Sequence, residues 1–554
     1  MVKLFKHTLR ILTHRQNSVF SAASIIMVTV ALSRVLGLFR DRLLAARFTP
    51  SDLGIYYAAF RLPNMIFELL VMGVLATAFI PVFTDHLDNK GKEAAFKMAA
   101  SLINVGLVIF VIFSLPVVFF ARQISMLLAP GFDGHEITLM ASFTQIMILA
   151  QVFPLIIGNF FTGILESFRN FIIPSLAPVV YNVGIILGII FLTPFLGLYA
   201  PVIGVVIGAV LFTVIQVPLV LSLGYKHHWS LSLSNPGTRE VGKLMLPRTL
   251  GLAVSQIDAT VDLILSTLLG AASVTVFNFA QHLQQVPIGL FGASIAQATL
   301  PSLSSLYAKK NMDEFKNTFL AAFHQILFLV IPISAILIVL RIPMVRLVFG
   351  ASTLFDWNST VITGKTLAYF SISLFAQSLI QLLARAFYAL HDTKTPVVIG
   401  GVSVGLNTVL SLIFVLNLHM DVWSLGLSTS IASIAQIILL TFFLDRKVGS
   451  FAKIEFILPA VKIFLSGIVT GVVLYIPMKL LDQLVFDTTK TINLLFLTGI
   501  ATLAGMSVYL FLSWFLEVPQ ISVFYKMIKR AKEFRRGVLI DTTQEVVNVQ
   551  ESNV

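Results

Sequence analysis

Apolar runs recur along this 554-residue chain at 18–47, 53–84, 97–121, 138–165, 172–195, 198–224, 241–269, 271–307, 315–341, 361–390, 395–418, 422–444, 456–480 and 490–517. Each holds about 20 residues or more, enough to carry a helix across the roughly 30 Å hydrocarbon core of a bilayer. The pattern predicts an all-α polytopic membrane protein with about fourteen transmembrane helices. Short polar breaks separate the runs, and their charge alternates. Lys90, Lys92 and Lys97, then Arg169, then Lys226, Arg239 and Lys243, then Lys309 and Lys310, then Arg385 and Lys394, then Arg446, Lys447 and Lys453 fall in every second loop. Cytoplasmic loops are enriched in Lys and Arg, so these loops and both termini are expected on the cytoplasmic side.

Composition sharpens this picture without changing it. Hydrophobic residues make up 57% and charged residues 12% of the chain, against roughly 25% charged in soluble domains. The net charge of +12 raises nucleic acid as a partner, but its loop-by-loop distribution is topological, so none is expected. The absence of cysteine excludes disulfides, thiolate metal sites and a catalytic thiol. Residues 1–17, with Lys3, Lys6, Arg10 and Arg15, form a basic lead expected on the membrane surface, with no cleavable-signal pattern. Residues 519–554 begin as a basic surface segment facing anionic lipid and end in a stretch expected to be disordered.

Three echoes divide the chain. Ser33-Arg34-Val35-Leu36-Gly37-Leu38 is matched by Pro247-Arg248-Thr249-Leu250-Gly251-Leu252. Ala76 to Pro81 is matched by Ala296 to Pro301, and Arg169 to Pro174 by His391 to Pro396. The offsets, 214, 220 and 222 residues, nearly agree. They predict two pseudo-symmetric six-helix lobes of like orientation, 18–225 and 226–450, with two further helices in 451–518. Repeats of this kind place a substrate cavity at their interface near the midplane. Pro63, Pro154 and Pro287 lie inside predicted helices and are expected to bend them.

Charges inside such helices are costly and mark candidate sites. The first lobe offers Arg34, Arg40, Asp41, Arg61 and Glu68. A cluster of arginines with two acids to offset it suits an anion, and guanidinium forks match phosphate; arginines held by Asp41, Glu68 and carbonyls are the structural alternative. The second lobe offers Arg248, Asp258, Asp262 and His282. Asp258 and Asp262 are four apart, on one helix face. Asn407, Ser411 and Thr429 add hard oxygen ligands of the kind that suit Na⁺, or else hydrogen bonds between helices. No Walker loop, HExxH, GxSxG or dinucleotide fingerprint is present in a suitable context, so no enzymatic activity and no cofactor are expected. Transport would then draw on an ion gradient, Na⁺ or H⁺, or on the membrane potential.

With Ser33-Arg34-Val35-Leu36-Gly37 through Arg40-Asp41, Phe60-Arg61-Leu62-Pro63-Asn64, Ala78-Phe79-Ile80-Pro81 and Pro287 through Leu300-Pro301, the chain resembles the MurJ (MviN) lipid II flippases of the multidrug/oligosaccharidyl-lipid/polysaccharide exporter superfamily over roughly residues 20–520. The resemblance implies a bacterial inner-membrane exporter, here taken as a monomer, that moves the undecaprenyl-pyrophosphate-linked peptidoglycan precursor from inner to outer leaflet by alternating access. It implies Arg34, Arg40 and Arg61 as cavity cations on the pyrophosphate, with Asp41 beside the second. It implies Asp262 as a sodium ligand, with Asn407 and Thr429 at further ligand positions, while Ser411 stands where the family has an acidic ligand. The chain departs from the family pattern at Phe67, Met72, Gly54 and His282, and Arg248 is expected to restore charge from the second lobe. A flippase for another lipid-linked oligosaccharide and a cation-coupled multidrug exporter are the alternatives. The drug exporter would call for an acidic cavity.

Overall fold

A computed structural model describes residues 19–72, 78–231, 236–350, 352–487 and 490–521, and these are helical with no strand among them. The helices are α1 (Val19–Arg47), α2 (Pro50–Ala59), α3 (Arg61–Phe67), α4 (Ile80–Phe119), α5 (Ala121–Leu128), α6 (Gly134–Ile146), α7 (Phe153–Ser167), α8 (Ile172–Leu196), α9 (Tyr199–Val214), α10 (Val217–Ser222), α11 (Pro236–Leu268) and α12 (Ala271–Pro287). They continue with α13 (Ser294–Ala308), α14 (Met312–Val339), α15 (Arg341–Phe349), α16 (Trp357–Ile372), α17 (Leu374–Ala389), α18 (Lys394–Leu412), α19 (Trp423–Val448), α20 (Lys453–Leu484) and α21 (Thr491–Phe515).

Ten of the described helical stretches are long and apolar enough to cross a membrane, or eleven if α16 and α17, bent by 44°, form one span. The expectation was fourteen. The first, second and seventh predicted runs include residues outside the description or with undescribed side chains, around 19–27, 73–77 and 244–252. The predicted loop at Lys90 and Lys92 is a sharp bend within α4, where Gly91 has φ 81°, a conformation that glycine adopts without steric cost.

The internal echo recurs in the backbone. A π-helical turn spans Glu68–Met72, and another spans Ile288–Ala293, 220 residues later. Arg169 (φ 61°) and His391 (φ 57°) both have positive φ, and so do Gly197 (φ 52°) and His419 (φ 48°), each pair 222 residues apart. The turns close alike. Asn170 N donates to Leu165 O and Asp392 N to Phe387 O, both at 2.9 Å, the pattern of a helix ended by a left-handed residue. Of Pro63, Pro154 and Pro287, two adjoin π-helical turns, Pro154 after Met147–Val152 and Pro287 before Ile288–Ala293. Around Pro63 the helix breaks instead at Phe60, between α2 and α3.

Contacts divide the chain into two compact units, Met1–Val286 with Arg341–Phe370 and Val397–Gln436, and Pro287–Leu340 with Ser371–Pro396 and Ile437–Val554. In the first unit α8 packs closely on α9, and α1 lies on α8. Gly184 and Gly188 face Gly208 and Gly204 so tightly that a Cβ on any of them would meet the opposite backbone, the small-residue contact that lets membrane helices approach. Within the second unit, α14 packs against α13, α17 and α20, and α20 against α21. Tyr509 of α21 donates to Phe328 O of α14 at 2.8 Å.

Candidate functional site

All the site residues discussed next belong to the first unit. Arg40 and Asp41 are neighbours on α1, and Asp41 is 1% exposed. A carboxylate so deep in apolar surroundings persists only with partners on both oxygens. Arg40 donates to Asp41 Oδ1 from Nη2 at 2.8 Å and from Nε at 3.0 Å, and the Tyr57 hydroxyl donates to the same oxygen at 3.3 Å. His282 Nδ1 of α12 lies 2.8 Å from Oδ2. Arg40 Nη1 donates to Asn182 Oδ1 of α8 at 3.1 Å, and Asn182 Nδ2 in turn donates to Ser33 Oγ at 3.2 Å. Three of the five guanidinium donors of Arg40 are thus engaged, and two remain.

This cluster borders two cavities. One, of about 420 Å³, is lined by Arg40, Arg61, Asp262 and His282 among aromatic and amide side chains that include Tyr56, Tyr181 and Gln281. The other, of about 350 Å³, is lined by Ser33, Arg34, Arg40, Asp41, Asn182 and His282. Arg40 and His282 face both. Arg34 is exposed and has no hydrogen-bond or ion-pair partner among the described residues. Arg61, on α3 just after the break at Phe60, reaches α11. Its Nε donates to Thr260 Oγ1 at 3.0 Å and its Nη2 to Gln256 O at 2.5 Å and Gln256 Oε1 at 2.7 Å. The Gln256 amide is held by Glu68.

A second cluster also involves α11. Asn407 Nδ2 of α18 donates to Asp258 Oδ1 at 2.9 Å. Asp262 Oδ1 and Asn407 Oδ1 are buried with no hydrogen-bond partner. Two carboxylates and an amide oxygen, with two buried oxygens unsatisfied, are a donor set that a small cation fits, because uncompensated buried oxygens are costly. Ser411 and Thr429 are engaged elsewhere, Ser411 with Ser428 Oγ at 2.6 Å and Thr429 with Leu425 O at 2.8 Å. Among the described residues no group of three or more His, Asp or Glu side chains is placed to hold a metal.

The sites of departure have physical reasons. Phe67 packs against Leu155, Ala177, Ala209 and Phe212, an apolar cluster where a cation would be stranded. A Cβ at Gly54 would overlap the carbonyl of Ala271, so no acidic side chain fits there. Nearby Asp52 is occupied as a helix cap, exchanging hydrogen bonds with Thr49. The side chains of Arg248 and Met72 lie outside the described residues. Tyr57, Asn182, Gln256 and Thr260 were absent from the sequence reading. Asn182 had a usable signal, a lone amide inside an apolar run.

The profile of the family described as lipid II flippase MurJ matches residues 46–497. A probable lipid II flippase MurJ from Buchnera aphidicola subsp. Acyrthosiphon pisum is 27% identical over 511 residues, covering 89% of this chain and 97% of the relative. The lipid II flippase MurJ of Burkholderia cenocepacia is 28% identical over 375 residues, covering 66% and 72%. A solved structure, "Lipid II flippase MurJ, inward closed conformation", is similar with TM-score 0.74 at 25% identity, covering 91% of this chain and 99% of that one. A solved structure described as the inward-facing conformation of a multidrug resistance MATE family transporter of the MOP superfamily shares the fold, with TM-score 0.64 at 15% identity, over 77% of this chain and 98% of its own. The chain belongs to the lipid II flippase MurJ family.

Proposed function

We propose that the protein moves lipid II from the inner to the outer leaflet of the bacterial cytoplasmic membrane by alternating access, driven by an ion gradient or the membrane potential. The observation that carries this reading is Arg34, an unpaired guanidinium lining the cavity that also holds Arg40. A pyrophosphate is the anion such a pair suits, since a guanidinium fork can donate two parallel hydrogen bonds to it. Arg40 contributes its two remaining donors, and Asp41 and His282 fix its orientation. Arg61, tied to Gln256 and Thr260, orients α3 against α11 and lines the chamber beside the anion site. Arg248 adds second-lobe charge in this reading.

Coupling is assigned to Asp262, Asp258 and Asn407, with Na⁺ as the ion. Ser411 and Thr429 take no part in the cluster, since their hydroxyls are engaged with Ser428 and Leu425. The protein acts as a transporter without catalytic chemistry, and as a monomer with both termini in the cytoplasm.

The test is reconstitution of the purified protein in liposomes with fluorescent lipid II in one leaflet, scored by quencher accessibility. Wild-type protein is expected to equilibrate the lipid and Arg34→Ala to slow it by at least about tenfold, the equivalent of one lost contact of roughly 1.4 kcal/mol. Equilibration of an unrelated lipid-linked oligosaccharide at the same rate, with none of lipid II, would favour the alternative substrate.

A further inference from the structure

A third cavity of the first unit lies apart from both clusters. It measures about 410 Å³ and is walled by Leu102, Val105, Gly106 and Ile109 of α4, Ile156 and Phe160 of α7, and the opening turns of α11. The α4 wall runs two turns, or about 10 Å at 1.5 Å per residue. Its chemistry is divided. The α4 and α7 walls are wholly apolar, while α11 supplies Thr238, Arg239 and Lys243. Arg239 and Lys243 are exposed and four apart, on one helix face. Thr238 is only 5% exposed, and its hydroxyl is buried with no hydrogen-bond partner. Glu240, on the same turn, is exposed and is not among the lining residues.

A buried hydroxyl left unsatisfied beside two cations, at the start of a 33-residue helix, awaits an acceptor, and the positive end of the helix dipole favours an anionic one. The apolar walls exclude a free inorganic anion as the full occupant, since they would be left facing water. We propose that this groove binds one anionic phospholipid, with its phosphate on Thr238, Arg239 and Lys243 and one acyl chain along α4 and α7. Lys226 of the preceding loop and Arg239 and Lys243 of the first turns of α11 form the positively charged segment expected on the cytoplasmic side, which places the ligand in the inner leaflet, where anionic headgroups attract basic side chains. Gly106 leaves the chain its room, because a Cβ there would meet the Phe160 ring only at ordinary contact distance, 3.6 Å. The lipid joins α4, α7 and the helix that carries Asp258 and Asp262, and it requires neither arginine of the flippase site.

Native mass spectrometry of the full chain in detergent tests this, with phosphatidylglycerol, phosphatidylcholine and inorganic phosphate titrated separately. One phosphatidylglycerol is expected to be retained in preference to phosphatidylcholine. Arg239→Gln with Lys243→Gln, and separately Thr238→Val, should each weaken it by about tenfold, as expected for a hydrogen bond to a charged group. Gly106→Leu should weaken it with the cations intact. Melting temperatures identify any variant that fails to fold, and the nearly isosteric Thr238→Val keeps the test decisive if another is lost. Equal retention of the two lipids, unchanged binding by Thr238→Val, or displacement of the lipid by inorganic phosphate alone would overturn the proposal.

Discussion

His282 Nδ1 lies 2.8 Å from Asp41 Oδ2, joining α12 to α1 across 241 positions of sequence, and both residues line the 350 Å³ cavity. The carboxylate between His282 and Arg40 is therefore a joint of the site as well as its counter-charge. Asp41→Asn leaves Arg40 without its charged partner in a buried position, and removing one member of a buried pair costs about 3–5 kcal/mol. The expected outcome is a marked fall in melting temperature. Arg40→Ala combined with Asp41→Asn should lose less than the two single changes together, because residues in contact are not additive. Strict additivity in that cycle would show that the pair is not coupled.

Arg34 is expected to behave in the opposite way. It is exposed and engages no described residue, so Arg34→Ala should leave the melting temperature within the range typical of surface changes, about 0.5 kcal/mol. Binding of lipid II, read by fluorescence titration in detergent, should nevertheless weaken at least about tenfold. A loss of stability with no loss of binding would move Arg34 from the substrate to the fold.

The helical architecture was legible because bilayer thickness imposes a length on every apolar run, and the echoed turns were legible because short polar turns stand out where apolar helices blur into one another. Arg169 and His391 illustrate this, as two unlike residues in one left-handed turn. The partners of the site were harder to read. Arg40 and Arg61 resemble each other as isolated charges in a helix, yet one is bound by its neighbour Asp41 and the other by Gln256, 195 positions away. Nothing local in the sequence distinguishes these cases, since helix packing decides which face meets which. The same holds for Asp258, whose partner Asn407 is 149 positions away, and for Phe67, whose apolar surroundings come from α7, α8 and α9.

The unpartnered oxygens of Asp262 and Asn407 lead to an ion-dependent stability. A ligand bound only by the folded state stabilises it by about 2.7 kcal/mol at a hundredfold excess over its dissociation constant. Replacing K⁺ by Na⁺ at constant ionic strength should raise the melting temperature of the wild type, and Asp262→Asn or Asn407→Ala should remove the increment. Ser411→Ala should retain it, because that hydroxyl is engaged with Ser428. An equal response to Na⁺ in Asp262→Asn would exclude the site.

Asp392 supplies a pH test outside the membrane-spanning helices, in the turn between α17 and α18. Partial burial acts to raise its pKa, but hydrogen bonds from Lys447 and Thr395 outweigh this and hold it at about 2, against roughly 3.9 for an unperturbed aspartate. Lys447 Nζ is 2.5 Å from its carboxylate. A group whose folded pKa is depressed contributes stability that is full above the unfolded pKa and is lost as pH falls through the folded one. The melting temperature of the wild type should therefore exceed that of Asp392→Asn by a constant margin above about pH 5, and the margin should shrink between about pH 4 and pH 2. Lys447→Gln should narrow that margin at every pH above the transition, and high salt should narrow it further because the ammonium is partly exposed. A difference between wild type and Asp392→Asn that does not change across this interval would mean that the carboxylate holds the turn by shape and not by charge.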